Sequence, residues 1–272
     1  MIIKDITNSY IKHILKEDNL EKYKKSFPEL FEHYFSFWAQ KDYWHKELDK
    51  EQVAERKKLV LDCLPIIEKK LVEHGFNTKE LQVVIMVGQG TTNGHAFKYQ
   101  NEFIVFLPIE GYETTDQVDI FVTHEILHAL HYSAQPDFYF KTQEEKDSVF
   151  RQLITEGLAT YLTKEILDVS DEKALWADYL SNDELSKWIK LCESEKQNLF
   201  EEAQGLIKER STKPDLFYAN KPDDIRKYRA GYFIGLEIIK KIVKKNNLSM
   251  HNLLSINKTK FESELFDVLT EY

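Results

Sequence analysis

The chain of 272 residues contains few cysteines and no long apolar run. Its two cysteines, Cys63 and Cys192, exclude a framework of several disulfides and a four-cysteine zinc site, so we expect a reducing compartment. The longest apolar stretch, LVLDCLPII at 59–67, is interrupted by Asp62 and Pro65 and is far too short to span a bilayer. These absences predict a soluble protein of the cytoplasm.

An excess of positive charge is also absent. The 37 Lys and Arg residues are outnumbered by 46 Asp and Glu residues, which gives a formal net charge of −9. Nucleic-acid binding and adhesion to an anionic membrane surface both need a basic face, so neither partner is expected. The opening MIIKDITNSYIKHILKEDNL has charged residues where a signal peptide would have its apolar region, and it therefore predicts no such signal.

Helical periodicity dominates the first 75 residues. Apolar residues recur at intervals of three and four in 20–38 and 52–72, and His74-Gly75 is a typical helix end. LQVVIMV at 81–87 and FIVFL at 103–107 then predict strands, with a turn-rich loop at 88–96. The second strand suits either a buried position or a sheet edge that pairs with extended peptide, and a buried position is favoured.

A long helix at 115–133 follows, with Thr114, Thr115 or Asp116 as its cap. The rest of the chain predicts a loop at 135–147, a helix at 148–167, mostly helical structure at 168–210, a loop at 211–224, a helix at 224–246 and a short helical C-terminus. We therefore expect a mostly helical α+β protein with a small sheet. Its segments are 1–80, helical; 81–134, the sheet and the long helix; and 135–272, a helical C-terminal lobe.

The long helix carries the sequence His124-Glu125-Ile126-Leu127-His128. Residues four apart share one face of a helix, so the two imidazoles can converge on one metal ion. Glu125 lies about 100° round the helix and can reach a water on that metal. Composition predicts only about 0.03 such HExxH motifs by chance in a chain of this length. The alternative is an amphipathic helix whose His and Glu residues merely face solvent.

A catalytic zinc needs a third protein ligand and one open position. The best candidate is Glu156 in QLITEGLATYL at 152–162, because an acidic side chain on so apolar a helix needs a partner. The alternative places Glu156 on the polar face of an ordinary helix.

HEILH followed by TEGLATY resembles the gluzincin metallopeptidases, the thermolysin and aminopeptidase-N side of the zinc proteases. The resemblance implies a gluzincin-like core with a cleft between lobes and one Zn²⁺ per chain. His124, His128 and Glu156 would be the ligands, and Glu125 the general base. The metzincin pattern HExxHxxGxxH is absent, since Leu130-His131-Tyr132 has no Gly or His in register.

From about residue 80 to 250 the chain is most similar to a family of predicted zinc-dependent proteases of uncharacterised biology, which share HExxH, EGLA-Y and a late GY-xxG helix. The last motif is Gly231-Tyr232 with Gly235 here. The spacing from His128 to Glu156 is longer than in the aminopeptidases. Their GxMEN motif is absent, which argues against an aminopeptidase. Thr160 stands where thermolysin-like enzymes place an Asp that orients a ligand His, so Asp116 or Asp119 would have to substitute.

A group that stabilises the oxyanion is also required, and gluzincins take a Tyr or His from the C-terminal lobe. Arg229 and Tyr232, three apart on the predicted helix, are the candidates, with Tyr228 as a further one. The alternative is that the tyrosines are core aromatics and the glycines close-packing positions. Two other histidines have weaker claims. His131 is either a partner of a ligand or a helix-end residue that is solvent-exposed or hydrogen-bonded to a carbonyl, and His95 is a candidate contact to substrate.

Three hypotheses of function follow. The first is a zinc metallopeptidase acting on a peptide or protein substrate, with partial stabilisation of the fold by zinc. The second is a metal-binding or peptide-binding protein of the same fold without turnover. The third is a purely structural helical protein. Peptide specificity, exo- or endo-cleavage and oligomeric state carry no sequence signal.

Overall fold

The computed structural model describes residues 1–40, 44 and 46–271. Over these residues the fold is mostly helical with one four-stranded sheet, which confirms the α+β class. The chain divides into two compact units, Met1–Ala129 and Leu130–Tyr272. The predicted division into 1–80, 81–134 and 135–272 stays a prediction. No helix in the described part of the chain is both long and apolar enough to cross a membrane.

The sheet of the first unit has the strand order β1-β2-β4-β3. Its strands are β1 Ile2–Asp5, β2 Gln82–Met86, β3 His95–Tyr99 and β4 Glu102–Pro108. β1, β2 and β4 run parallel, and β3 pairs antiparallel with β4. β4 thus lies between two strands and is almost wholly buried, so the favoured buried position of 103–107 is confirmed.

Five helices accompany the sheet in the described part of the first unit. They are α1 Thr7–Tyr10, continued by a π-helical stretch at Ile11–Lys16, α2 Leu20–Lys24, α3 Pro28–Phe37, α4 Lys50–Glu73 and most of α5 Thr115–Ala134. The helical periodicity of 20–38 belongs to two helices, α2 and α3: the chain turns at residues 25–27, and Pro28 starts α3 at a position where its missing N–H costs no hydrogen bond.

α4 follows its prediction closely. Asp49 and Gln52 form a capping box at its start, and the helix ends at His74, followed by Gly75 at φ +84°. Its buried face includes Cys63, whose thiol lies against Asp119 of α5. Burial raises the pKa of this thiol to about 11, and the neighbouring carboxylate adds to the shift.

The second unit is built from the end of α5 and eight further helices. They are α6 Gln143–Asp147, α7 Val149–Leu167, α8 Asp171–Trp176, α9 Asn182–Ser194, α10 Lys196–Lys208, α11 Ala230–Asn246, α12 Met250–Leu254 and α13 Lys258–Leu269. The predicted loop at 135–147 instead contains α6. The predicted loop at 211–224 is confirmed, with one 3₁₀ turn at Asp215–Phe217.

α11 begins six residues later than the predicted helix at 224–246. Arg229 is its N-cap residue and has a left-handed backbone with φ +59°, so residues before Ala230 do not continue the helix. Arg229 donates its backbone N–H to the Tyr218 carbonyl at 2.6 Å, which holds the entering chain. Arg229 and Tyr232 are therefore not three apart within a helix, as expected, but at its cap and in its first turn.

α7 and α11 cross at glycines. A Cβ built on Gly157 would lie 2.7 Å from the Gly235 Cα and closer still to its carbonyl group, and one built on Gly235 would lie 2.7 Å from the Leu153 carbonyl oxygen. The two backbones therefore touch, which only residues without a side chain permit. The expectation that Gly235 is a close-packing position is confirmed.

Candidate metal centre

The HExxH motif lies on α5, in the part of this helix that belongs to the first unit. The Thr114 hydroxyl accepts a hydrogen bond from the Gln117 N–H at 3.2 Å, so Thr114 caps the helix. The His124 and His128 side chains turn inward, and the residues are only 5 % and 2 % exposed. They are therefore not the solvent-facing histidines of the alternative interpretation.

The two imidazoles face each other through their Nε2 atoms, which are 3.0 Å apart. Zinc–nitrogen bonds of about 2.0–2.1 Å at a tetrahedral angle separate two ligand nitrogens by about 3.3 Å. One ion therefore fits between the rings with little adjustment. Imidazole nitrogens with a carboxylate nearby are also a donor set that zinc prefers.

Glu125 completes a compact group with these histidines, because one ligand atom of each of the three residues lies within 4.8 Å of the others. Its side chain is 12 % exposed, and one of its carboxylate oxygens, Oε2, is 4.0 Å from Nδ1 of His95. Gly94 packs against the same side chain: a Cβ at position 94 would be 2.9 Å from the Glu125 Cγ. The carboxylate is thus confined by the end of the glycine-rich loop and the start of β3.

His95 belongs to a cluster of aromatic rings. His33 stacks on it with ring centroids 5.9 Å apart, and Trp38 lies at 5.0 Å. His33 also stacks on Phe97 at 5.1 Å. Burial lowers the pKa of His33 to about 4, so this ring is neutral at physiological pH. His95 thus neighbours Glu125, while its contact to substrate stays a prediction.

Glu156 lies on α7 in the second unit and is partly buried. Lys146 is close enough for the Glu156 charge to act on its pKa. The Lys146 carbonyl accepts hydrogen bonds from the Arg151 guanidinium at 3.0 Å and the Gln152 amide at 2.9 Å, which fastens the end of α6 to the start of α7. Glu156 therefore lies on a helix held both by this connection and by the Gly157–Gly235 crossing.

The three candidates for oxyanion stabilisation gather in one aromatic cluster of the second unit. The Arg229 guanidinium lies 4.1 Å from the Tyr232 ring centroid and 4.9 Å from that of Trp176. Tyr228 packs on Trp176 at 5.0 Å, and its carbonyl accepts a hydrogen bond from the Trp188 indole at 2.7 Å. Burial raises the pKa of the Tyr228 hydroxyl above its usual value, so the phenol stays protonated.

The sequence model of a family described as "Predicted Zn-dependent protease (DUF2268)" matches residues 75–263, more than two thirds of the chain. The chain belongs to this family. The matched region contains HExxH, Glu156 and the Tyr228–Tyr232 segment, while α1 to α4 precede it. No curated protein and no solved structure matches the chain.

Several features of the structure lay outside the sequence predictions. β1 and β3 were not expected, and Glu110 was not singled out. His131 is fully buried, with its ring centroid 4.6 Å from that of Phe138, so the exposed helix-end alternative is wrong. Asp119 lies against Cys63, and no local pattern in the sequence predicts this contact between α5 and α4.

Proposed function

We propose that the protein is a zinc metallopeptidase that hydrolyses peptide bonds with Glu125 as its general base. The observation that carries this proposal is the pair of buried Nε2 atoms of His124 and His128, 3.0 Å apart with the Glu125 carboxylate beside them. A helix that merely exposed these residues to solvent would not bury two imidazoles with their Nε2 atoms in contact. Membership in a family of predicted Zn-dependent proteases supports the same chemistry.

In this proposal His124, His128 and Glu156 hold one zinc ion, and the fourth position stays open. Bound zinc acts as a Lewis acid and lowers the pKa of a coordinated water to about 7. The two histidines offer neutral imidazole nitrogens, and Glu156 offers a carboxylate from a helix whose position is fixed by backbone packing. The gluzincin-like core belongs to the same proposal.

Glu125 accepts the proton of the attacking water and then delivers it to the leaving amine nitrogen. The confinement of its side chain supports this role, because Gly94 and His95 leave the carboxylate little freedom to turn away. A fixed carboxylate avoids the entropic cost of orienting it at each turnover.

We assign stabilisation of the oxyanion to Arg229, Tyr232 and Tyr228, which supply one guanidinium and two phenols in a single cluster. Arg229 is the strongest donor of the three, since its charge persists at any physiological pH. Its stacking between two rings limits the positions its guanidinium can take.

The partner in this proposal is a peptide or protein substrate, not a nucleic acid or a membrane, and the enzyme acts in the cytoplasm. The net charge of −9 supports the first point and the two buried free thiols support the second.

The proposal is tested by metal content and hydrolysis measured on four variants. Glu125→Gln should keep about one zinc per chain and lose about 10²–10⁴-fold in hydrolysis of a quenched-fluorescence peptide pool. Glu80→Gln, at an exposed position of the same unit, is its control. Glu156→Ala should lose most of the zinc, and Glu165→Ala, two turns further along α7, should keep it.

Each outcome separates the three hypotheses. Zinc without turnover on any peptide would refute the peptidase and favour a binding protein. No stoichiometric zinc after reconstitution would refute both and leave a structural protein. Zinc that persists in Glu156→Ala would keep the HExxH ligands and refute the third one.

A further inference from the structure

The loop at residues 88–94 connects the end of β2 to the start of β3 and finishes against Glu125. Gly94 has φ +146°, a conformation that residues with a side chain rarely adopt, and a Cβ there would be 2.9 Å from the Glu125 Cγ and 3.1 Å from the Phe106 carbonyl oxygen. The path of this loop therefore sets the space in which the Glu125 side chain lies.

The end of the loop that follows β2 is held by the carboxylate of Glu110. Glu110 accepts hydrogen bonds from the Gly88 N–H at 2.8 Å and the Gly90 N–H at 3.0 Å, one with each oxygen. These groups meet because β2 and β4 are parallel neighbours whose last residues, Met86 and Pro108, pair in register. Glu110 follows β4 as Gly88 follows β2, so both lie at the same edge of the sheet.

Neutral groups hold the rest of the loop. The Tyr34 hydroxyl accepts a hydrogen bond from the Gln89 N–H at 2.8 Å and lies 3.1 Å from the Thr91 hydroxyl. The Tyr112 hydroxyl donates to the Asn93 carbonyl. Glu110 is therefore the charged anchor among these contacts, and it accepts two backbone donors at once.

The surroundings of Glu110 are tyrosines and one acid. Among the described residues, the charges of Tyr10, Tyr23, Tyr34 and Glu47 interact with it. Burial raises the pKa of the three phenols, so they remain neutral. Burial also raises the pKa of Glu110 to about 7, with the two backbone donors acting against that shift. Burying an ionisable carboxyl group among these residues costs folding free energy, which a functional role of Glu110 would explain.

We infer that Glu110 is a positioning residue for Glu125, which it serves by anchoring the 88–94 loop through the amides of Gly88 and Gly90. The general-base role of Glu125 rests on the proposed function. A glutamine at position 110 has one acceptor oxygen and would turn an N–H₂ toward the second amide, so it releases one end of the anchor. The loop then gains freedom, and Gly94 no longer confines the catalytic side chain.

The test compares Glu110→Gln with Glu113→Gln, an exposed acid three residues further along the chain. At pH 8, amide exchange of residues 88–94 should rise at least tenfold in Glu110→Gln and stay unchanged in Glu113→Gln. The nuclear Overhauser contact between the Gly94 Hα and Glu125 Hγ protons should weaken at least twofold. kcat should fall about 10–100-fold with KM and zinc content unchanged, since displacement of a catalytic group by about 1 Å has effects of this size.

The inference is overturned if Glu110→Gln matches Glu113→Gln in exchange, in the Gly94–Glu125 contact and in kcat. If Glu110→Gln does not fold, Tyr34→Phe replaces it: removing that hydroxyl should leave the Gly94–Glu125 contact in place because Glu110 still anchors the loop, and loss of the contact would refute its role. If the wild-type enzyme hydrolyses no peptide, the proposed function fails, while exchange and the proton contact still decide whether Glu110 positions residue 125.

Discussion

Replacing Gly157 with alanine should separate α7 from α11 and destabilise the second unit. The added Cβ would lie 2.7 Å from the Gly235 Cα, whereas relaxed carbon–carbon contacts are about 3.5–4.0 Å. The obstacle is the backbone of α11, which cannot rotate away as a flexible side chain could. The helices must therefore move apart by about 1 Å.

Two opposing contributions determine the magnitude. Overpacking of this kind costs about 1–3 kcal/mol, and alanine gains up to about 1 kcal/mol over glycine in a helix interior. We expect a net loss of about 1–2 kcal/mol in the free energy of unfolding. Gly205 on α10 is the matched control, because a Cβ there meets nothing within 4 Å. Gly205→Ala should therefore gain about 0.5–1 kcal/mol.

The assay is urea unfolding of the metal-free protein, followed by far-ultraviolet circular dichroism. The two alanine variants should differ by about 1.5–3 kcal/mol in the free energy of unfolding, or about 3–12 °C in Tm, with opposite signs relative to wild type. Equal stability of Gly157→Ala and Gly205→Ala would refute the close crossing. Glu156, the proposed third zinc ligand, directly precedes the altered residue, so under that proposal zinc binding should weaken as well.

Three further predictions concern pH and metal. The folded pKa of Glu110, about 7, lies above its ordinary value of 4.5, so ionisation of this acid favours the unfolded state. As the pH rises from 4 to 8, the free energy of unfolding of wild type should therefore fall by up to about 3 kcal/mol relative to that of Glu110→Gln. Parallel curves of unfolding free energy against pH would contradict this. The folded pKa of His33, about 4, lies below its ordinary value of 6.5, so protonation of this ring favours the unfolded state. As the pH falls from 8 to 5, the free energy of unfolding of wild type, measured by urea titration at each pH, should fall by up to about 2 kcal/mol relative to that of His33→Gln. Chelation of zinc present at 100 times its Kd should remove about 2.7 kcal/mol and lower Tm without abolishing helical circular dichroism; an unchanged Tm would count against a structural contribution from the metal.

Elements with strong periodicity could be predicted from the sequence alone. α4, α5, α7, β2 and β4 all occur close to their predicted bounds, because each is marked in the sequence by helical apolar spacing or by an unbroken apolar run. β1 could not be predicted, since its four residues are all exposed and it owes its strand conformation to pairing with β2. β3 was not predicted because the turn-rich, glycine-containing segment at 88–96 overlaps its start, and because its strand conformation depends on pairing with β4.

The candidate site likewise has a part that the sequence predicts and a part that it does not. His124, Glu125 and His128 lie together because a helix brings residues one turn apart into contact, and spacing alone predicts that. The anchoring of loop 88–94 by Glu110 depends on the parallel pairing of β2 and β4, which no local pattern encodes. The start of α11 was misplaced because the left-handed backbone of Arg229 is stabilised by its contact with Tyr218, ten and more residues away.

The two buried cysteines give each unit an internal reporter of its own opening. Cys63 lies in the first unit and Cys192 in the second, and burial raises the pKa of both thiols. A thiolate-directed alkylating reagent will therefore reach neither while its unit is folded, and each site will be labelled at the rate at which its surroundings open. Peptide mapping of the alkylated chain, after timed exposure in mild denaturant, reads the two opening rates in one sample without introducing a probe.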